Sequence, residues 1–116
     1  SGGAMTKKFG AWLRYRRLEK HASQRWLSQQ ADISWTYLSK VENGVPGFSS
    51  PSEKTLRKFA VALKADPDEM ITRAGKIPSD VRKVIVDDFS LVKEIRSRKK
   101  PSRRRKKGPK ESTGGS

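Results

Sequence analysis

The sequence predicts an all-α protein: a compact bundle of about five helices over residues 6–76, a helical extension over 77–98, and a basic tail over 99–116. Three observations predict it. Apolar residues recur at helical spacing along 6–98, and no stretch alternates as a half-buried strand does. Good N-cap residues precede the apolar stripes, and Gly follows several of them. There is also no repeat at a solenoid period.

The elements follow in order. Ser1 to Ala4 read as a cloning remnant before Met5, and residues 1–5 are expected to be disordered. Phe9, Trp12, Leu13 and Arg17 share one face of a first helix, which breaks at His21-Ala22. Ser23 caps a second helix carrying Leu27 and Ala31. Ser34 caps a third, with Leu38 and Val41 inward and Gly44 as its stop. The stretch VPGFSSP is a loop. Ser52 caps a fourth helix with Leu56, Phe59, Ala60 and Leu63 on one side. Asp66-Pro67-Asp68-Glu69 starts a fifth, with Asp at the cap, Pro at N1 and Glu at N3. Met70, Ile71 and Ala74 follow, and Gly75 ends it. Ser79 begins a weaker helix with Val81, Val84 and Ile85, and Asp88 a last one with Leu91, Val92 and Ile95.

Composition narrows the function classes. The 116 residues carry a formal net charge of +15, which points to a polyanionic partner. Only 33% of residues are hydrophobic, so part of the chain is not expected to pack. From Lys99 onward eight Lys/Arg stand against one Glu, with Pro and Gly interspersed and no large apolar residue. Such a segment cannot offset its ordering entropy and is expected to be disordered. Residues 1–98 keep nineteen Lys/Arg against eleven Asp/Glu, so the helical part is basic in its own right. The absence of cysteine excludes disulfides, thiolate metal sites and cysteine nucleophiles. No apolar run approaches the ~20 residues of a membrane span, and no signal peptide is visible, so a cytoplasmic protein is expected. His21 is the single histidine, which makes a metal site improbable, and no cofactor is expected. No Gly-rich phosphate loop, carboxylate pair or nucleophile–base set is present, so the expected protein is not an enzyme.

Ser23 to Gly44 is two short helices joined by a tight turn near Asp32-Ile33. This segment, SQRWLSQQADISWTYLSKVENG, resembles the helix-turn-helix of the Cro/C1-repressor type, the XRE family. The resemblance lies in Ser23-Gln24 opening one helix, Leu27, Ala31 before the turn, Ile33-Ser34, and Val41-Glu42-Asn43-Gly44, followed by Pro51, Ser52 and Leu56. It covers residues 9 to 75. Two departures are Ser28, where Ala is usual, and a loop after Gly44 that is about two residues longer than usual. The resemblance implies a lambda-repressor-like DNA-binding domain in a bacterial, nucleoid-associated transcriptional regulator, expected to be a repressor, acting as a homodimer on double-stranded DNA.

Site expectations follow. Arg17 lies on the core face of its helix, where a charge is costly unless paired. Glu42 is the natural partner, and the resemblance implies the same bridge; the alternative is that both charges reach solvent along their stems. The third helix is the expected recognition helix, with Trp35, Thr36, Tyr37, Ser39 and Lys40 as base-reading candidates. Tyr37 could instead pack against the second helix. Gln24, Ser23, Arg25, Asn43 and Arg14 are the phosphate candidates, with Arg16 and Lys20 as weaker ones; loss of Gln24 is expected to weaken all DNA sequences alike. Trp12 and Trp26 are expected to be core or half-buried. Pro78 to Ser97, rich in Val, Ile, Leu and Phe, is a candidate dimerisation element, unless it folds back on its own domain. Two other readings compete: an antitoxin that represses its own operon and binds a toxin, and an RNA or membrane-surface binder driven by the tail.

Overall fold

A computed structural model describes residues 2–48 and 50–107, with side chains described over 8–48 and 50–98. The described residues form seven α-helices and no strand: α1 (Gly2–Glu19), α2 (Gln24–Gln30), α3 (Trp35–Glu42), α4 (Glu53–Leu63), α5 (Pro67–Arg73), α6 (Ser79–Asp87) and α7 (Phe89–Lys107). The chain divides into two compact units after Pro78.

Local chemistry sets the helix starts. The hydroxyls of Ser23, Ser34 and Ser52 accept the backbone N–H three residues on, capping α2, α3 and α4. Asp66 caps α5 through the Asp68 N–H, with Pro67 at N1. Glu69, at the N3 position, turns to Arg73 at 2.8 Å rather than back to the cap. Asp88 Oδ1 accepts the Ser90 N–H at 3.1 Å at the start of α7.

The helix ends share one device. Each of α1 to α5 closes with a left-handed residue, in turn His21, Asp32, Gly44, Lys64 and Gly75. At each, that residue's N–H and the following one bond back to the last turn, as in Ala65 N–H to Ala60 O and Lys64 N–H to Val61 O. Three of the five positions therefore hold a residue with a Cβ, where the conformation costs about 1–2 kcal/mol. Glycine gives back part of that gain through its greater freedom in the unfolded chain, about 0.5–1 kcal/mol. Lys64→Gly, at an exposed site, should therefore raise stability by about 0.5–1 kcal/mol, read as a rise of several degrees in the thermal midpoint. An unchanged midpoint would show that Lys64 gains something specific from its side chain.

The first unit is built on one core. Phe9 and Leu13 of α1, Leu27 and Ala31 of α2, Leu38 and Val41 of α3, Leu56, Phe59, Ala60 and Leu63 of α4, and Met70, Ile71 and Ala74 around α5 are all buried together. Ser50 Oγ donates to Ala74 O at 3.2 Å and ties the loop before α4 to the end of α5. Trp12 packs at the edge of this core, with the Arg73 guanidinium 4.8 Å from its ring. Trp26 does not join the core: it is 39% exposed on the outer side of α2.

Two boundaries differ from expectation. Helix α1 begins at Gly2, inside the leader expected to be irregular. Adding residues to an anchored helix is far easier than nucleating one, and Phe9 and Leu13 anchor this one. Likewise α7 continues to Lys107, nine residues into the expected tail. The helix runs through Pro101, which removes one backbone donor, while the Lys and Arg around it are good helix formers. The remainder of the tail, 108–116, lies outside the described residues. In the second unit no side chain over 79–98 is buried, and Val84, Val86, Phe89 and Ile95 are each more than half exposed.

Candidate nucleic-acid interface

Helices α2 and α3 are held at a fixed angle by their turn. Asp32 takes the left-handed conformation, φ 59°, and the Ile33 N–H reaches back to Ser28 O at 3.0 Å. Leu27 and Ala31 on one helix and Leu38 and Val41 on the other face the common core. This turns Trp35 and Thr36 outward at the head of α3, with Ser39 and Lys40 half-buried one turn on.

The other end of α3 is fixed by charge. Arg17 Nε donates to Glu42 Oε2 at 2.7 Å and Nη2 to Oε1 at 2.9 Å, a two-point contact with side chains only 8% and 1% exposed. The remaining Nη1 donates to Ala22 O at 2.8 Å. The bridge therefore joins α1, the α1–α2 turn and α3. Close by, Gly10 of α1 runs against the α3 backbone: a Cβ there would meet the carbonyl oxygens of Val41 and Glu42.

Gln24 extends this network to the head of α3. Its Nε2 donates to Glu42 Oε1 at 2.9 Å, and its Oε1 accepts the Trp35 indole N–H at 2.9 Å. A carboxylate only accepts and an indole N–H only donates, so just one orientation of the amide satisfies both. This pairing adds an anchoring role to the phosphate contact expected of Gln24. Its amide is engaged at both ends, and its loss should disturb Trp35 as well as general affinity. The sequence did not betray this, because the partners stand 18 and 11 residues away.

Arg25 stacks its guanidinium 4.8 Å from the centre of the Trp35 ring. Lys40 lays its ammonium 4.6 Å from the centre of Phe48, a loop residue that sequence reasoning passed over. Tyr37 packs edge-on against the same Phe48, ring centres 6.0 Å apart, and not simply against the second helix. Burial raises the Tyr37 hydroxyl above the usual tyrosine range. Asn43 Nδ2 lies 3.5 Å from Ser39 Oγ, at the limit of a hydrogen bond. Ser23, Arg25, Asn43 and Arg14 are exposed, and Ser23 already accepts the Trp26 N–H. Arg16 is less available than expected, because it packs over Trp12 and pairs with Glu19 at 3.4 Å.

Among the described residues no cluster of His, Asp or Glu could hold a metal ion, and no helix is long and apolar enough to cross a membrane.

Comparison with known proteins agrees with this geometry. Two relatives are an uncharacterised HTH-type transcriptional regulator of Mycobacterium tuberculosis, 32% identical over 87 residues, and the ImmF control region 10 kDa protein of Bacillus phage phi105, 40% identical over 60 residues. The alignments cover 72% and 52% of this chain, and the chain spans only 60% and 63% of those relatives. The solved structure of the clp gene regulator ClgR from Corynebacterium glutamicum superposes with a TM-score of 0.52 at 26% identity, covering 76% of this chain and 88% of that one. A family described as a helix-turn-helix domain matches residues 8–71, more than half of the chain and all five helices of the first unit from the Lys8 turn of α1 into α5. By that match, and by the capped α2–turn–α3 pair that its geometry displays, the chain belongs to the helix-turn-helix domain family.

Proposed function

We propose that the chain is a sequence-specific double-stranded DNA-binding regulator of transcription that reads operator bases with α3. The observation that carries this is the α2–α3 pair itself: its apolar faces are buried, its far end is clamped by Arg17–Glu42, and it presents Trp35 and Thr36 at the N-terminal turn of α3. Recognition helices of this kind meet base edges with their N-terminal residues. Thr36 offers a methyl and a hydroxyl, Lys40 an ammonium suited to guanine O6 or N7, and Ser39 and Tyr37 hydroxyls on the same helix. Ser23, Arg25, Asn43 and Arg14 flank it as phosphate contacts. The relatives named as regulators favour this over the antitoxin reading.

Selection of duplexes from a random pool by the full chain tests it. Thr36→Ala and Lys40→Ala should each shift the enriched sequence, since a base contact is worth about 1–3 kcal/mol of discrimination. The same consensus from Lys40→Ala as from wild type would remove Lys40 from the reading set. A basic tail with eight positive residues should add affinity without adding sequence preference.

The reading extends to a homodimer on a two-fold site with half-sites about 34 Å apart. Its support is the second unit, whose Val, Ile and Phe side chains are exposed to a degree unusual for a folded pair of helices. A chain ending at Lys76 should then sediment as a monomer and bind the selected duplex more weakly than the full chain. Equal stoichiometry and affinity would exclude residues 77–116 from assembly.

A further inference from the structure

We propose that Trp35 reads the C5-methyl group of a thymine, and that Gln24 is the positioning residue that makes it do so. The inference rests on the reading of α3 as the recognition helix and adds the chemistry of its first contact.

Indole has one heteroatom. In Trp35 that atom is spent: Nε1 donates to Gln24 Oε1 at 2.9 Å. The Arg25 guanidinium covers part of the ring, 4.8 Å from its centre. Yet the residue remains 50% exposed at the first position of α3. The side-chain surface left to a ligand is therefore hydrocarbon and π-face only. Against a polar base edge, such a surface would strip water from N7, O6, O4 or an amino group and return no hydrogen bond. Four base pairs present themselves in the major groove, and thymine alone carries an apolar group there, its C5-methyl. The indole is thus matched to one feature and penalises the others.

Gln24 decides which way the ring faces. Its amide is held by Glu42, and Glu42 is held by the two-point contact with Arg17. The indole is consequently tethered through Gln24 to Glu42 at the buried end of α3, and through Glu42 to Arg17 of α1. Without the Gln24 acceptor the Nε1 hydrogen would be available to base acceptors, and the ring would lose its fixed rotamer.

The test uses the full chain and a duplex it enriches from a random pool. Each thymine of that duplex is replaced in turn by deoxyuridine, which removes the methyl and keeps every polar group. For the wild type, one position should lose about four-fold in affinity, the burial value of one methyl group. Trp35→Ala should bind thymine and deoxyuridine equally there, Trp35→Phe should keep most of the discrimination, and Gln24→Ala should reduce it; thermal melts confirm that each variant is folded. The proposal is overturned if no deoxyuridine weakens the wild type, or if the penalty survives Trp35→Ala unchanged. A chain that enriches no sequence at all sinks the operator reading, and the methyl contact with it. A chain that enriches a sequence and ignores the methyls sinks the methyl contact alone.

Discussion

Arg17→Ala should destabilise the first unit by about 3–5 kcal/mol, the range observed when one member of a buried ion pair is removed. The loss has two parts. The guanidinium gives three hydrogen bonds, two to Glu42 and one to Ala22 O, which fix α1 against α3 and against the α1–α2 turn. Its removal also leaves the Glu42 carboxylate, 1% exposed, with the Gln24 amide as its remaining described partner. The second part dominates, because an uncompensated carboxylate in a core is worse than none. Arg17→Ala should therefore be rescued in part by a second change, Glu42→Leu, which removes the stranded charge. Arg17→Lys should fall between, since an ammonium cannot reproduce the forked contact. Small domains have about 5–15 kcal/mol to lose, so the single variant stands close to unfolding at physiological temperature. Urea denaturation of the three variants decides the matter. A single-variant loss below about 1 kcal/mol would mean that solvent reaches Glu42 readily.

How much of this was legible in the sequence depends on how far each interaction reaches. Caps act over three residues, so Ser23, Ser34, Ser52 and Asp66 announced themselves. Arg17 was legible for a different reason: helical periodicity put a charge on an apolar face, and only one acidic residue adjoined the apolar end of α3. The left-handed positions were legible as stops at Gly44 and Gly75 and as chain breaks near His21 and Asp32, and hidden at Lys64, where the side chain argues against the conformation. The start of α1 was missed because a helix propagates from its anchor at Phe9 and Leu13 without a local signal, and the end of α7 because Pro101 argues for a stop that the helix does not make. At the interface, the outward placement of Trp35 and Thr36 followed from the inward placement of Leu38 and Val41. The roles of Gln24 and Lys40 did not follow. Gln24 bonds from the head of α2 to both ends of α3, and Lys40 leans on Phe48, which sits in a stretch read only for its turn residues.

Gly10 is the position where the local and tertiary rules conflict most, and it yields the second large effect. By helix propensity, alanine should stabilise an interior position of α1 by about 1 kcal/mol over glycine. The structure predicts the opposite sign. A Cβ on Gly10 would lie 2.6 Å from the Glu42 carbonyl oxygen and 2.9 Å from its carbonyl carbon, with the Val41 oxygen in contact as well. These are backbone atoms at the end of α3 and cannot rotate aside. To admit one methyl group, α1 and α3 must part by several tenths of an ångström. That movement pulls directly on the Arg17–Glu42 contact, whose 2.7 and 2.9 Å bonds span the same two helices. Overpacking of this kind costs about 1–3 kcal/mol, and the strained ion pair adds to it. Gly10→Ala should therefore lose about 1–2 kcal/mol net of the propensity gain, in urea denaturation at an unchanged m-value. The adjacent residue supplies the control. Ala11 is exposed on the same helix, so Ala11→Gly should lose only the propensity difference of about 1 kcal/mol. If Gly10→Ala proves neutral or stabilising while Ala11→Gly behaves as expected, the close crossing of α1 over the end of α3 is wrong. The clamp that fixes the end of α3 would then need another origin.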